Sequence, residues 1–279
     1  MKITQGHVAV VTGAGGGLGR SLAVQLAKRG CHLALVDINP QALDGTRKAI
    51  GETSLTVSLH PTDITDRAAM EKLPQEVLAI HKTVNLLINN AGITIQKSFE
   101  THSIEDWQRV ININLWGTIY GCKFFQEALK AAGEAHIVNL SSMAGYIGLP
   151  GQASYSATKA AVHRLSETLW SELHDENIGV TSIHPGCIKT DMIKATLNDS
   201  DSVELAKKNY EMAQKIGVTA DYAALQIIKG VVNNKKRVRI GKDAVILDIA
   251  KRLMPQAILN PMVKLVRKSK QAQLVENNA

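Results

Sequence analysis

Cysteine, proline and long apolar runs are scarce in this chain of 279 residues. Its three cysteines stand far apart with no C-x-x-C pair, so we expect neither a disulfide framework nor a structural zinc site. No run of about 18 apolar residues occurs, which argues against a transmembrane helix. The first six residues also lack the apolar stretch of a signal peptide. We therefore expect a cytoplasmic protein in a reducing environment.

Charge is unevenly distributed. The formal net charge is +7, and the segment from Lys229 onward holds 12 Lys and Arg against 3 Asp and Glu. These basic residues surround no motif that recognises nucleic acid, so a nucleic-acid partner is not expected.

The nine histidines are scattered without a metal-ligand spacing, and we expect no metal site.

Two periodicities alternate along the first 190 residues. Apolar, β-branched runs lie at 7–12, 32–37, 55–60, 84–89, 135–141 and 179–184, with a weaker run at 236–240. Amphipathic helical patterns lie between them at about 18–29, 40–50, 65–82, 103–132 and 154–177. Near-continuous apolarity indicates strands buried on both faces. The alternation predicts an α/β, doubly wound (Rossmann-type) parallel sheet of about seven strands. We expect one domain over 1–242 and a basic amphipathic extension over 243–279.

A glycine-rich turn follows the first predicted strand. It reads TGAGGGLG and opens a helix, with the spacing G-x-x-x-G-x-G. Glycines here let the backbone approach a pyrophosphate and present amide donors to it. The residues predicted to contact a cofactor are Gly13, Gly16, Gly17, Leu18 and Gly19. The next strand ends at Asp37, whose carboxylate suits adenosine ribose hydroxyls and would repel a 2′-phosphate. Neither Gly16 nor Ile38 supplies a compensating cation, so NAD is favoured over NADP.

Three further residues indicate acid–base chemistry. Tyr155 and Lys159 are four apart on a predicted helix and share one face. A neighbouring ammonium should lower the pKa of the tyrosine, which could then exchange a proton with an alcohol or carbonyl. Ser142 ends a strand and can hydrogen-bond the substrate oxygen from the other side. Each feature alone is common, but their combination with the glycine turn indicates an enzyme.

Together these motifs resemble the short-chain dehydrogenase/reductase family over about residues 6–240. The resemblance rests on TGAGGGLG, on Asp63-Ile64, on Asn89-Asn90-Ala91-Gly92, and on Ser142 with Tyr155-x-x-x-Lys159. It implies hydride transfer between NAD(H) and a secondary alcohol or ketone. It also implies a homodimer or homotetramer, because the helices at 103–132 and 154–177 resemble those that pair subunits in the family.

The resemblance assigns further roles. Asn114 would hold a water in a proton relay to Lys159, which would also hold the nicotinamide ribose. The remaining cofactor contacts that it implies are Asp63, Ile64, Asn90, Ala91, Gly92, Tyr155, Lys159, Pro185, Ile188 and Thr190. The region of about 191–217 corresponds to the family's mobile substrate lid.

Apolar side chains predict a lipophilic substrate. Met192 of the lid, with Met143 and Tyr146 beyond the serine, would form an apolar wall, unless these side chains pack against the sheet instead. Two other functions stay open: a reductase of long-chain acyl or aldehyde substrates on the same fold, and a non-catalytic nicotinamide-binding sensor. The C-terminal extension mixes apolar clusters with basic residues. It suits weak peripheral contact with the inner membrane surface, a subunit contact, or a cover over the substrate cleft.

Overall fold

The computed structural model describes residues 1–190, 192, 200–201, 203–261, 263–264 and 266. Part of the predicted lid (191, 193–199 and 202) and the end of the basic extension (267–279) lie outside the described residues.

Seven parallel strands form the central sheet, and the predicted fold class is confirmed. Its strands are β1 (Val8–Thr12), β2 (His32–Asp37), β3 (Val57–Pro61), β4 (Leu86–Asn89), β5 (Ala135–Leu140), β6 (Ile178–Pro185) and β9 (Arg237–Ile240). Two short strands between β6 and β9 lie outside this sheet: β7 (Ile188–Lys189) and β8 (Val218–Thr219). The order across the large sheet is β3-β2-β1-β4-β5-β6-β9, while β7 and β8 pair separately. The strand order therefore reverses between β1 and β4, where doubly wound sheets open a cleft at their carboxyl ends.

Helices cover both faces of the sheet. They are α1 (Gly17–Ala27), α2 (Pro40–Ile50), α3 (Arg67–His81), α4 (Ile104–Ile111), α5 (Gly117–Phe124), α6 (Gln126–Ala131), α7 (Ala153–Glu172), α8 (Val203–Ile216), α9 (Ala220–Val232) and α10 (Lys242–Leu253). Side chains of alternate β1 residues point to opposite faces of the sheet. Ala9 and Val11 pack with α1 and α9 on one face, and Val10 packs with α3 and α6 on the other. Both faces are thus apolar, which explains the continuous apolar strands.

The single helix predicted over 103–132 is interrupted. Between α4 and α5 the chain forms a π-helical turn over Asn112–Trp116, which inserts an extra residue into the helical repeat. Such turns often occur at functional sites. Asn114 lies in the middle of this turn and is fully buried.

The predicted extension begins as a helix docked on the sheet edge. The carboxylate of Asp248 on α10 is buried and pairs with Arg239 of β9 at 2.8 Å and with Arg237 at 3.4 Å. The boundary that we expect at 243 therefore falls inside the first turn of a helix that packs against β9. Among the described residues, no helix has the length and apolarity to cross a bilayer.

Candidate active site

A cleft of about 440 Å³ opens at the carboxyl end of the sheet. Residues from the glycine turn, from the Asn-Asn-Ala-Gly segment and from the Ser142 and Tyr155-x-x-x-Lys159 motifs line it. Those predicted from the sequence are Gly13, Gly16, Gly17, Leu18, Asp37, Asn90, Ala91, Gly92, Ser142, Met143, Tyr155, Lys159, Pro185, Ile188, Thr190 and Met192. The volume lies in the range of small-molecule and cofactor sites.

At three of its positions, Gly13, Gly15 and Gly19, the glycine turn is packed too tightly for a side chain. A Cβ at Gly19 would overlap the carbonyl oxygen of Gly13, and a Cβ at Gly13 would lie 2.9 Å from the Cα of Ala91. Gly16, in contrast, has nothing within 4 Å of its Cβ position. The turn therefore packs against the end of β4 while its outer side stays open beside the N-terminus of α1. This arrangement suits a phosphate group.

The second strand brings Asp37 to the same cleft. Its carboxylate accepts hydrogen bonds from the backbone amides of Gly15 at 2.9 Å and Asn39 at 3.0 Å. Carboxylate oxygens keep further acceptor sites, so ribose hydroxyls can still bind there. The guanidinium of Arg20 packs behind the turn, where it donates to the hydroxyl of Thr46 and to the carbonyls of Gly15 and Ala42.

A hydroxyl from β1 holds the Asn-Asn-Ala-Gly segment in place. Thr12 Oγ1 accepts from the amides of Asn90 at 3.0 Å and Ala91 at 3.1 Å. The side-chain amide of Asn90 donates in return to the carbonyl of Thr12 at 2.9 Å. Below it, Asn89 donates to Asn139 at 2.9 Å and so links β4 to β5. These contacts join the strands on either side of the strand-order reversal and fix the floor of the cleft.

Ser142 and Tyr155 meet in the cleft. The Ser142 hydroxyl accepts from the amide of Ala144 at 3.2 Å, and both Ser142 and Tyr155 line the cleft. Burial raises the pKa of Tyr155 above its usual value of 10, and the nearby Ser142 hydroxyl only partly opposes that rise. The expected lowering of this pKa by Lys159 is therefore wrong for this structure. The Lys159 Nζ lies 5.6 Å from the centre of the Tyr155 ring, and desolvation of the phenolate dominates.

Lys159 is a buried ammonium with few partners. Its Nζ donates to the carbonyl of Leu140 at 2.7 Å, while its own carbonyl accepts from the Ser141 hydroxyl at 2.7 Å. Burial lowers the pKa of Lys159 to about 8. Because Nζ can donate three hydrogen bonds, this geometry leaves donors for a ligand.

Asn114 braces the region beneath Lys159. Its amide oxygen accepts from the amide of Ile93 at 2.8 Å, and its Nδ2 donates to the Ile93 carbonyl at 2.9 Å and to the Thr158 hydroxyl at 3.2 Å. A Cβ at Gly92 would lie 3.1 Å from Asn114 Oδ1 and 3.3 Å from Lys159 Nζ. The structure thus places Asn114 next to the lysine, with its side chain engaged in backbone contacts.

The prediction that Tyr146 forms part of the substrate wall is corrected, because Tyr146 does not line the cleft. It stacks on His184 with the ring centres 4.4 Å apart, and Arg237 lies 5.6 Å from its centre. This stacking holds the half-buried ring against His184 and away from the lining of the cleft. The apolar wall instead includes Leu149.

Three other predicted cofactor residues, Gly19, Asp63 and Ile64, lie outside the lining of the cleft. The carboxylate of Asp63 accepts from the amide and hydroxyl of Thr65, both at 2.8 Å. Ile64 is buried in the core, and its side chain fills the space beside Gly117. Any contact of Asp63 or Ile64 with an adenine remains a prediction.

Sequence reasoning missed two polar residues of the cleft wall, Thr94 and Gln152. The Thr94 hydroxyl is buried without a hydrogen-bond partner among the described residues. Their positions in the sequence indicate the cleft only weakly. Thr94 comes two residues after the Asn-Asn-Ala-Gly segment, and Gln152 comes three residues before Tyr155.

Comparison with known proteins decides the family. The sequence profile described as short chain dehydrogenase matches residues 7–201. The chain belongs to the short-chain dehydrogenase family. It is similar to SadH of Mycobacterium tuberculosis, named as an oxidoreductase, with 34% identity over 91% of this chain and 93% of SadH.

Solved structures of short-chain dehydrogenases share the fold. A short-chain dehydrogenase/reductase from Burkholderia phymatum in complex with NAD superposes with a TM-score of 0.84 at 27% identity, covering 90% of this chain and 95% of that one. Levodione reductase superposes with a TM-score of 0.78 at 26% identity, covering 87% and 99%. In this short-chain dehydrogenase, the described residues include no cluster of three or more His, Cys, Asp or Glu side chains arranged to hold a metal ion.

Proposed function

We propose that this short-chain dehydrogenase oxidises secondary alcohols, or reduces the matching ketones, with NAD(H). The observation that carries the proposal is the single cleft lined by Ser142, Tyr155 and the buried ammonium of Lys159. These are the donors that a reacting oxygen needs. The serine can orient that oxygen, and the tyrosine can exchange a proton with it.

The residues present fit a dinucleotide. The open side of the glycine turn suits a pyrophosphate, Asp37 suits the adenosine ribose, and Lys159 has donors available for the nicotinamide ribose. Pro185, Ile188 and Thr190 would face the nicotinamide. When bound, NAD supplies a hydride acceptor, and its reduced form supplies a hydride donor.

The chain's own groups would manage the proton. The raised pKa of Tyr155 keeps its phenol protonated at neutral pH, so Tyr155 can donate to a ketone oxygen during reduction. Ser142 would hydrogen-bond that oxygen from the opposite side. Lys159 would replace the proton of Tyr155 through a water beside Asn114.

The substrate that we propose is lipophilic with a second polar group. Met143, Leu149 and Met192 provide apolar wall around Tyr155. Gln152 lies in the same wall, and its side-chain amide both donates and accepts hydrogen bonds. A ketone or alcohol with one additional oxygen would pair with it.

A substrate screen tests the proposed reaction. Secondary alcohols and ketones of increasing chain length, with and without a second oxygen, are incubated with NAD(H) or NADP(H), and cofactor absorbance is followed. We expect turnover of lipophilic substrates, and turnover lowered about 10²–10⁴-fold in Tyr155→Phe. Turnover restricted to acyl thioesters or long-chain aldehydes would favour the reductase alternative. Binding of NAD without turnover of any substrate would favour a sensor.

Cofactor preference gives a prediction at Asp37. We expect NAD to be preferred over NADP. Asp37→Ala should reduce the ratio of the two catalytic efficiencies, mainly by lowering the efficiency with NAD. A hydrogen bond to a charged group contributes about 1.5–3 kcal/mol, so the kcat/KM for NAD should fall about 10-fold or more. Asp44→Ala, an exposed acid on α2, is the matched control. Equal efficiency of the two cofactors in the unmodified protein would reject the assignment.

An aromatic row supports a homodimer or homotetramer. Trp116, Tyr120 and Phe124 stack along α5 and the π-helical turn, with ring centres 5.6 and 5.7 Å apart. Trp116 is 45% exposed. Burial of such a row between subunits would remove exposed aromatic surface from water.

The C-terminal helix carries an apolar face that suits a membrane surface. Ile246, Ile249 and Leu253 are exposed at i, i+3 and i+7 on α10, with Lys251 on the same helix. We propose that a cytoplasmic protein would bind the inner membrane weakly through this face. Each basic residue adds about 1 kcal/mol near an anionic surface.

Co-sedimentation with vesicles checks this surface. We expect the full chain to pellet with anionic vesicles at low salt, and less with neutral vesicles or at high salt. The double variant Ile246→Gln, Leu253→Gln leaves Asp248 and its arginines in place and should pellet less. Equal, negligible pelleting of both proteins would reject the membrane contact.

A further inference from the structure

The C-terminal helix contacts the loop that closes the cleft. Asp243, in the first turn of α10, accepts a hydrogen bond from the backbone amide of Cys187 at 2.8 Å through Oδ2. Its Oδ1 accepts from the amide of Ala244 at 2.9 Å, within its own helix. The loop Pro185–Ile188 lines the cleft with all four of its residues. A side chain far along the sequence therefore supports the cleft wall from behind.

Two glycines make room for this carboxylate. A Cβ at Gly186 would overlap both carboxylate oxygens of Asp243, and a Cβ at Gly241 would overlap Oδ1. Gly241 also has φ +96°, a conformation that other residues rarely adopt. The amide of Gly186 donates to the carbonyl of Ile240 at 2.8 Å, which ties the loop to the end of β9. The loop and the helix thus fit together around the Asp243 side chain.

The helix that carries Asp243 has its own anchor. Asp248 is 3% exposed and accepts from Arg239 at 2.8 Å and from Arg252 at 3.1 Å. Arg237 completes the group at 3.4 Å. Because Arg237 and Arg239 belong to β9, these ion pairs attach α10 to the central sheet independently of the loop. Asp243 is consequently presented from a fixed element.

We propose that Asp243 is a positioning residue, which holds the backbone of Pro185–Ile188 in the conformation that binds the nicotinamide end of the cofactor. This inference rests on the proposed function for the identity of the ligand. The Cys187 amide points to a charged acceptor, and a hydrogen bond of that kind is stronger than a neutral one. Without it the loop would relax away from the cleft, and cofactor binding would have to reorder it.

Three variants test the role. Asp243→Ala removes the acceptor, Asp243→Asn retains one acceptor oxygen, and Asp221→Ala removes an exposed first-turn acid from α9 as a control. Amide hydrogen exchange of peptides covering 185–190 and 242–253 is measured without nucleotide, and NADH affinity is measured by fluorescence. For Asp243→Ala we expect faster exchange in 185–190, exchange in 242–253 changed only at Ala244, whose amide loses its acceptor, and an NADH Kd raised about 10-fold. Asp243→Asn should recover most of the affinity, and Asp221→Ala should match the unmodified protein.

Two results would overturn the proposal: exchange and Kd like those of the unmodified protein in Asp243→Ala, or faster loop exchange with an unchanged Kd. If Asp243→Ala does not fold, Gly186→Ala disturbs the contact from the loop side. We then expect Gly186→Ala to weaken NADH binding, and Gly186→Ser to weaken it further as the side chain grows against Asp243. Unchanged binding in both would also overturn the proposal. None of these readouts requires turnover, so an unmodified protein that binds NADH but turns over no alcohol or ketone would reject the proposed reaction and leave this test intact.

Discussion

Replacement of Tyr155 with Phe is expected to lower kcat by about 10²–10⁴-fold, the usual loss when a general acid–base is removed. The ring stays, so the apolar contacts of Tyr155 in the cleft should persist and NADH affinity should change little. The loss should fall on kcat rather than on cofactor binding, because the phenol acts on the reacting oxygen. Steady-state kinetics with a good substrate and NADH fluorescence titration measure the two effects separately.

Tyr146 supplies a matched control for that substitution. Tyr146→Phe removes the same hydroxyl from a nearby tyrosine whose ring stacks on His184. The Tyr146 hydroxyl is buried without a hydrogen-bond partner among the described residues, so its removal should leave kcat unchanged and stability equal or higher. Wild-type turnover in Tyr155→Phe, or an equal loss in both variants, would contradict the role assigned to Tyr155.

Lys159→Met is the second substitution with a large expected effect. Methionine fills the apolar volume of the lysine stem but cannot donate a hydrogen bond. We expect kcat/KM to fall about 10²–10⁴-fold, since both the contact with the nicotinamide ribose and the proton supply of Tyr155 are lost. Lys123→Met changes an exposed lysine on α5 and serves as the control. Activity of Lys159→Met within a few-fold of the unmodified protein would contradict both roles.

The stability of Lys159→Met relative to the unmodified protein should depend on pH. The pKa of Lys159 is about 8 in the folded protein, against 10.5 for an unperturbed lysine. Between these values the unfolded chain holds the extra proton, so the Lys159 contribution to the free energy of unfolding rises with pH. The stability of Lys159→Met relative to the unmodified protein should therefore be greatest below pH 8. It should decline by about 3 kcal/mol up to pH 10.5. Denaturant unfolding at several pH values measures it, and a constant difference would show that Lys159 is not buried as an ammonium.

The fold could be predicted because its signal is local. The continuous apolarity of HVAVVT and HLALVD follows from burial on both faces of a parallel sheet, and the two faces of β1 show that burial directly. The cleft could be anticipated in part for the same reason, since the carboxyl ends of parallel strands bring their following residues to one edge.

Other parts of the site depend on contacts between distant residues. Nothing near Tyr146 in the sequence shows that its ring would stack on His184 rather than face the cleft. The π-helical turn at Asn114 lies where its side chain contacts Ile93 and Thr158, which adjoin it only in the folded chain. Only glycine fits at position 186, because a Cβ there would overlap the carboxylate of Asp243, which lies 57 residues later in the sequence. Such pairings have no periodicity that a single sequence could reveal.

Deuterium transfer tests the central claim most directly. A secondary alcohol found to be a substrate is labelled with deuterium at its carbinol carbon and oxidised with NAD, and the reduced cofactor is analysed by mass spectrometry. We predict that the reduced cofactor gains the deuterium, because hydride passes directly between substrate and nicotinamide in the cleft formed by Ser142, Tyr155 and Lys159. Unlabelled reduced cofactor formed from fully labelled alcohol would contradict direct hydride transfer and, with it, the proposed function of this cleft.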